Sequence, residues 1–214
     1  IEAKLKIKMN QSHEDIFIYF NKDHHIKNSI NDVKPITYEF GDSLMQNQYG
    51  GFLKRNTIFI KTIKTNFTMT IHNLALQGTH NFYNSMAASI AATSIGIKDH
   101  VIKKSLSNFQ GLEHRLEFVA KVCGVDFIND SKATNCNSVY YALETINSPI
   151  IWICGGIDKG NDYSQLKKLV ESKVKTIIFL GKDSSKIQSN FKTVVEDIFV
   201  TDSMKKAVEH SFSI

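Results

Sequence analysis

The chain has 214 residues, a formal net charge of +5, 42% hydrophobic and 22% charged residues, which suits a globular protein with one large core or two small ones. No run approaches the roughly 18 apolar residues needed to cross a bilayer, and the opening IEAKLKIKMN is no signal peptide, so no membrane partner and a cytoplasmic location are expected. The positive charge is scattered Lys, with Arg55 and Arg115 the arginines and no aromatic–basic motif, which argues against a nucleic-acid partner and suits polyanionic small molecules.

In chain order, Ile16–Phe20, Thr57–Lys61 and Phe67–Ile71 are short runs rich in β-branched and aromatic residues, and are predicted as strands. Residues Asn21–Asn31 read as a polar loop. Asn81–Ile95 is predicted as a helix, because Met86, Ala87, Ile90, Ala91 and Ser94 recur at helical spacing and Gly96 follows as a stop. A second helix is expected over Lys98–Asn108, and Gly111 marks a break. The pattern then changes. Two strand-like runs within Leu116–Asn129 meet near Gly124. After them come a helix at Cys136–Thr145, a strand at Ile150–Cys154, a helix at Tyr163–Ser172 and a strand at Thr176–Leu180. A helix at Ser184–Asn190, a strand at Val194–Val200 and a helix at Ser203–His210 complete the series. Such alternation implies right-handed βαβ units and a mainly parallel, doubly wound sheet. A domain boundary is placed near Gln110–Gly111, giving domains 1–110 and 111–214.

Cys123, Cys136 and Cys154 are far apart and odd in number, so reduced thiols are expected rather than disulfides or a zinc site. The histidines show no metal-ligand spacing.

Five segments could carry chemistry. Gln77-Gly78-Thr79-His80-Asn81-Phe82-Tyr83-Asn84 opens the main helix and puts Asn81 and Asn84 on one face. Their amides could read an adenine edge, or Thr79 or Asn81 could simply cap the helix. Gly111-Leu112-Glu113-His114-Arg115 holds a guanidinium suited to phosphate, or to an ion pair with Glu113 or Glu117. Asn129-Asp130-Ser131-Lys132-Ala133-Thr134-Asn135 ends a strand and starts a helix with an acid, a base and two hydroxyls, which could orient phosphate, ribose or carboxylate, or form an elaborate cap. Gly155-Gly156-Ile157-Asp158-Lys159-Gly160 and Gly181-Lys182-Asp183 follow strands, where α/β sheets bind ligands; each could equally be a tight turn with a solvated Lys.

Together and in order, these segments resemble the Mur ligase family. GTHNFYNSMAA resembles its G-x-H-N-x-x-N-x-x-A-A helix start, GLEHRLE the opening of its C-terminal domain, and Ala3-Lys4-Leu5-Lys6-Ile7 the segment whose lysine is carbamylated. NDSKATN and GGIDKG resemble the member that adds D-glutamate. The resemblance implies the latter part of a central ATPase domain (mixed sheet with helices), followed by a Rossmann-like amino-acid-binding domain. It implies a monomeric enzyme that uses ATP and Mg²⁺ to join D-glutamate to UDP-N-acetylmuramoyl-L-alanine through an acyl phosphate. Asn81 and Asn84 would meet the ATP base, Arg115 the phosphates with His114 beside it, and Asp130 the ribose. Lys132 and Thr134 would lie between nucleotide and amino acid, Lys159 would pair with a D-glutamate carboxylate, and Lys4, as a carbamate, would bind Mg²⁺. A GTxGK[ST] phosphate loop and a UDP-sugar domain would precede Ile1, and a segment with Ser and Phe that helps hold D-glutamate would follow Ile214, so the chain alone is expected to be inactive. The alternatives are another Mur or folylpolyglutamate-type amide ligase, and a non-enzymatic nucleotide-binding α/β module.

Overall fold

The computed structural model describes residues 2–30, 35–44, 49–156 and 160–214. They form two compact units, Ile1–Gly111 and Leu112–Ile214.

The first unit opens with a single helical turn, α1 (Glu2–Leu5), and then builds a mixed sheet in chain order from β1 (Ile16–Phe20), β2 (Ile36–Gly41), β3 (Gly50–Lys54), β4 (Thr57–Lys61) and β5 (Asn66–Thr70). The pairs β1–β2 and β2–β3 are parallel, whereas β3–β4 and β4–β5 are antiparallel. The long helix α3 (Thr79–Ser94) lies on this sheet and α4 (Asp99–Asn108) follows it. Ile58, Ile60, Phe67 and Met69 alternate inward along β4 and β5 and pack with Phe82, Met86 and Ile90 of α3. Period 2 on the strands and period 3.6 on the helix are what make this face continuous.

Two differences from the sequence reading have physical causes. The polar stretch after β1 is not all loop: Asp23 accepts the backbone N–H groups of His25 and Ile26 and so starts the short helix α2 (His24–Lys27). Strands β2 and β3 lack a plain alternating signal, because β2 is buried on both sides, Glu39 included, and β3 opens with two glycines. At the end of β2, Asp42 is held below the usual carboxylate range, first by the hydrogen bond from Lys22 and then by that from the Tyr83 hydroxyl.

The second unit contains an antiparallel hairpin, β6 (Glu117–Val122) with β7 (Val125–Asn129), and a three-stranded parallel sheet. The sheet runs β10 (Asp197–Thr201), β9 (Val174–Leu180), β8 (Ile150–Gly155). Helices α5 (Cys136–Thr145), α6 (Lys167–Lys173), α7 (Ser185–Phe191) and α8 (Met204–Phe212) alternate with these strands. Leu143, Leu166, Val170, Ile177, Phe179, Ile187 and Phe191 make the core. The last strand begins later than its sequence suggests, because Val194 and Val195 turn back onto Phe191, each donating its N–H to that carbonyl, and spend their apolar surface on the core. No helix among the described residues is long and apolar enough to cross a membrane.

Lys173 closes α5. Its ammonium donates to the carbonyls of Leu143, Glu144 and Ile146 at 2.8, 2.8 and 2.6 Å, supplying partners that a helix end lacks. Lys173→Met keeps the stem and removes the donors; it is expected to lower urea-unfolding stability by about 1–3 kcal/mol. The hairpin turn offers the opposite case. Cys123 has φ +50° and Gly124 φ +85°, the backbone of a two-residue type I′ turn, for which Asn-Gly is the favoured sequence. Cys123→Asn is expected to raise the thermal midpoint slightly, by about 0.5 kcal/mol of reduced strain.

Candidate functional site

The clearest convergence of chemistry lies where the chain enters the hairpin and leaves it. Before β6, His114 and Leu116 both adopt left-handed backbone, φ +64° and +46°, so Arg115 stands at the crest of a tight turn. After β7, residues 130–135 descend into α5. Three hydrogen bonds fasten the two segments together. The Leu116 N–H donates to Asp130 Oδ1 at 3.1 Å, the Lys132 N–H donates to the His114 carbonyl at 3.2 Å, and Asn129 Nδ2 lies 2.8 Å from His114 Nδ1. His114 N–H also donates to Glu117 Oε2 at 2.8 Å. The structure therefore brings His114, Arg115, Asp130 and Lys132 into one local assembly. Arg115 and Lys132 are both exposed.

Thr134 is exposed in the same loop, one residue before Asn135. Asn135 caps α5 by accepting the Ser138 N–H at 2.9 Å. Capping therefore falls to Asn135, which leaves Lys132 and Thr134 free of that duty.

The glycine turn follows β8. Strands β8, β9 and β10 end level with one another, at Gly155, Leu180 and Thr201. The next residues lace the ends together: the Gly156 N–H donates to Leu180 O at 3.2 Å and the Gly181 N–H to Thr201 O at 2.9 Å. This is the carboxyl edge of a parallel sheet, where such folds bind ligands. Lys159 and its neighbours 157–158 lie outside the described residues. In the second glycine turn, Asp183 Oδ1 accepts the Ser185 N–H at 3.0 Å, just ahead of α7. Burial pushes the Cys154 thiol, beside the first turn, up to about 12, which keeps it protonated.

In the first unit, Gly78 rather than Thr79 or Asn81 is the N-cap of α3, and no side chain caps that end. Asn81 instead donates Nδ2 to Gln77 O at 2.8 Å, which leaves its amide oxygen to other partners, and Asn84 is exposed one turn on. Lys4 belongs to α1, but its side chain lies outside the described residues. Among the described residues no three His, Cys, Asp or Glu side chains come together as metal ligands. Among the described residues of this unit, hollows of about 330 and 440 Å³ are lined by no predicted site residue.

Sequence reasoning named Asn129 only within its segment and Glu117 only as an ion-pair candidate for Arg115, and did not join either to His114. They are cross-strand partners in the hairpin register, and Asn129 Nδ2 also approaches Glu117 Oε2 at 3.4 Å.

Comparison with known proteins adds an independent line. Residues 114–213 match the family described as "Mur ligase, glutamate ligase domain". The UDP-N-acetylmuramoylalanine–D-glutamate ligase of Christiangramia forsetii is 42% identical over 220 residues, covering 100% of this chain and 48% of that protein. The chain thus spans about half the length of the curated relatives it matches. Among solved structures, MurF of Acinetobacter baumannii superposes with a TM-score of 0.72 at 20% identity, over 99% of this chain and 48% of that one. A folylpolyglutamate synthase of Thermotoga maritima gives a TM-score of 0.61 at 15% identity, over 93% and 50%. These two structures establish the fold.

Proposed function

The chain belongs to the Mur ligase family, and we propose on that premise that it serves ATP-dependent joining of D-glutamate to UDP-N-acetylmuramoyl-L-alanine in making a peptidoglycan precursor. In this reading the first unit is the latter part of a nucleotide-binding domain and the second is the amino-acid-binding domain. The observation that carries it is the hydrogen-bonded assembly of the His114–Leu116 turn with the Asp130–Lys132 loop.

The chemistry asks mainly for charge neutralisation and positioning. A carboxylate is a poor electrophile. Transfer of the γ-phosphoryl group of ATP to the L-alanine carboxylate gives an acyl phosphate. The amine of D-glutamate then attacks the carbonyl, the C–O bond to phosphate breaks, an amide C–N bond forms, and the amine loses a proton. Both steps gather negative charge on phosphoryl oxygens. Arg115 would clamp those oxygens with its planar fork, and Lys132 would follow the charge onto the departing phosphate. Asp130, already an acceptor for the Leu116 N–H, would accept from a ribose hydroxyl. Thr134 would hydrogen-bond the incoming amino acid, Lys159 would pair with its side-chain carboxylate, and Asn81 and Asn84 would read the base. Mg²⁺ would supply charge screening for the phosphates; a Lys4 carbamate would give it the hard oxygen ligand it prefers. The likeness to the D-glutamate-adding relative at 42% identity favours D-glutamate over other amino acids.

The test is a chimera in which these 214 residues replace the matching half of the Christiangramia forsetii ligase. With ATP and UDP-N-acetylmuramoyl-L-alanine it is expected to release phosphate with D-glutamate and not with L-glutamate or diaminopimelate. A folded chimera that turns over another amino acid in preference would overturn the assignment.

A further inference from the structure

The hydrogen bonds around His114 fix more than a backbone turn. Asn129 is the last residue of β7 and Glu117 the first of β6, and the two are register partners. The Ser131 N–H donates to Asn129 Oδ1 at 3.1 Å. A backbone N–H can only donate, so this contact settles which end of the carboxamide is oxygen. Nδ2 then faces His114 Nδ1 at 2.8 Å and Glu117 Oε2 at 3.4 Å, and it can only donate to both. Glu117 Oε2 is itself held by the His114 backbone N–H at 2.8 Å. His114 Nδ1 faces two atoms, Asn129 Nδ2 at 2.8 Å and Glu117 Oε2 at 3.5 Å, and the nearer one, a donor, makes it the acceptor. In neutral imidazole the proton then sits on Nε2.

We propose that the Asn129 carboxamide fixes the tautomer of His114, so that the ring offers Nε2–H as a hydrogen-bond donor to an acceptor atom of the bound nucleotide and keeps no lone pair free for proton abstraction. The inference rests on the nucleotide reading above for its ligand and on the hairpin geometry alone for the tautomer. It assigns His114 to ligand contact beside Arg115, and makes Asn129 a positioning residue. Glu117 contributes twice, by seating the His114 backbone and by sharing the Asn129 amide. The arrangement suits an anion: a neutral ring that donates adds a hydrogen bond next to the guanidinium, whereas a ring accepting at Nε2 would turn a lone pair toward phosphate oxygens.

The tautomer is read directly from long-range ¹⁵N–¹H correlations of the histidine rings in the labelled chain, with His114 assigned from the signals lost in His114→Gln. At pH 8 the wild-type ring is expected to carry its proton on Nε2, with Nδ1 unprotonated. In Asn129→Asp a carboxylate, which can only accept, faces Nδ1, and the proton is expected to move there. Asn129→Ala controls for loss of the side chain and should leave an averaged pair of tautomers. A wild-type ring protonated at Nδ1, or an Asn129→Asp ring unchanged from wild type, would overturn the inference. The wild-type spectrum decides the first point even if a variant fails to fold. ADP titration of the chimera provides the separate readout: His114→Gln, which retains an amide donor, is expected to bind within about threefold of wild type, and His114→Leu about tenfold more weakly. Equal affinities for these two in the chimera would sink the donor role, whereas a folded wild-type chimera that binds no ADP would sink the nucleotide reading and leave the tautomer standing.

Discussion

Phe191→Ala is expected to lower the stability of the second unit by about 3–5 kcal/mol, enough to leave it largely unfolded at 37 °C in a marginally stable domain. Phe191 ends α7 with no exposed surface. Its ring takes the edge of Trp152 on one side, with centroids 5.9 Å apart and planes at 74°, and of Tyr163 on another, at 6.0 Å and 79°. Its carbonyl also receives the N–H groups of Val194 and Val195. Truncation would remove the ring around which α7, β8 and the approach to β10 are arranged, and the rigid strands could not collapse into the void. Trp152 is the sole tryptophan, so its fluorescence through a urea titration reports this unit alone. Phe118→Ala, on the exposed face of the hairpin, should shift the same midpoint by less than about 0.5 kcal/mol. Equal midpoints for the two variants would show that the core has been misidentified.

The second large effect is expected at Gly155. A Cβ there would sit 2.0 Å from the Leu180 carbonyl oxygen and 2.7 Å from its carbon, both backbone atoms of β9. Neither can move without opening the β8–β9 pairing, so Gly155→Ala is expected to cost about 3 kcal/mol. It should also displace the Gly156 N–H from Leu180 O and with it the turn that leads to Lys159. Unfolding midpoints measure the first consequence. The second predicts that D-glutamate KM in the chimera rises more than tenfold.

How much of this was legible beforehand follows from the kind of signal each part carries. Helix α5 and the βαβ series of the second unit were readable because strand-length apolar runs there alternate with helical ones, and because Asn135 announces α5 one residue ahead of it. Strands β2 and β3 were not. Glu39 sits at 1% exposure inside β2, opposite Tyr19, whose hydroxyl approaches it at 3.4 Å, and a buried glutamate inverts the usual pattern. Burial first, and then that glutamate's charge, push the Tyr19 hydroxyl up to about 12. At the site, the His114–Arg115 and Asp130–Lys132 segments could be named from composition, but their hydrogen-bonded union could not. Counting outward from the Cys123–Gly124 turn sets Asp130 opposite Glu117. The irregularity between Phe118 and Ala120 slips the pairing by one, so that Asn129 takes that place and Asp130 is released to the Leu116 N–H. A bulge leaves no reliable mark in sequence, and here it decides which amide meets His114.

The central claim is that the turn around Arg115 and the loop around Lys132 act as one phosphate-handling surface. Titrating ADP into the ¹⁵N-labelled chain tests it most directly. The amides of residues 114–117 and 130–134 are expected to shift together along one saturable isotherm, and Arg115→Ala to weaken that isotherm at least tenfold. Saturable shifts confined to other surfaces, or an isotherm indifferent to Arg115, would contradict the account.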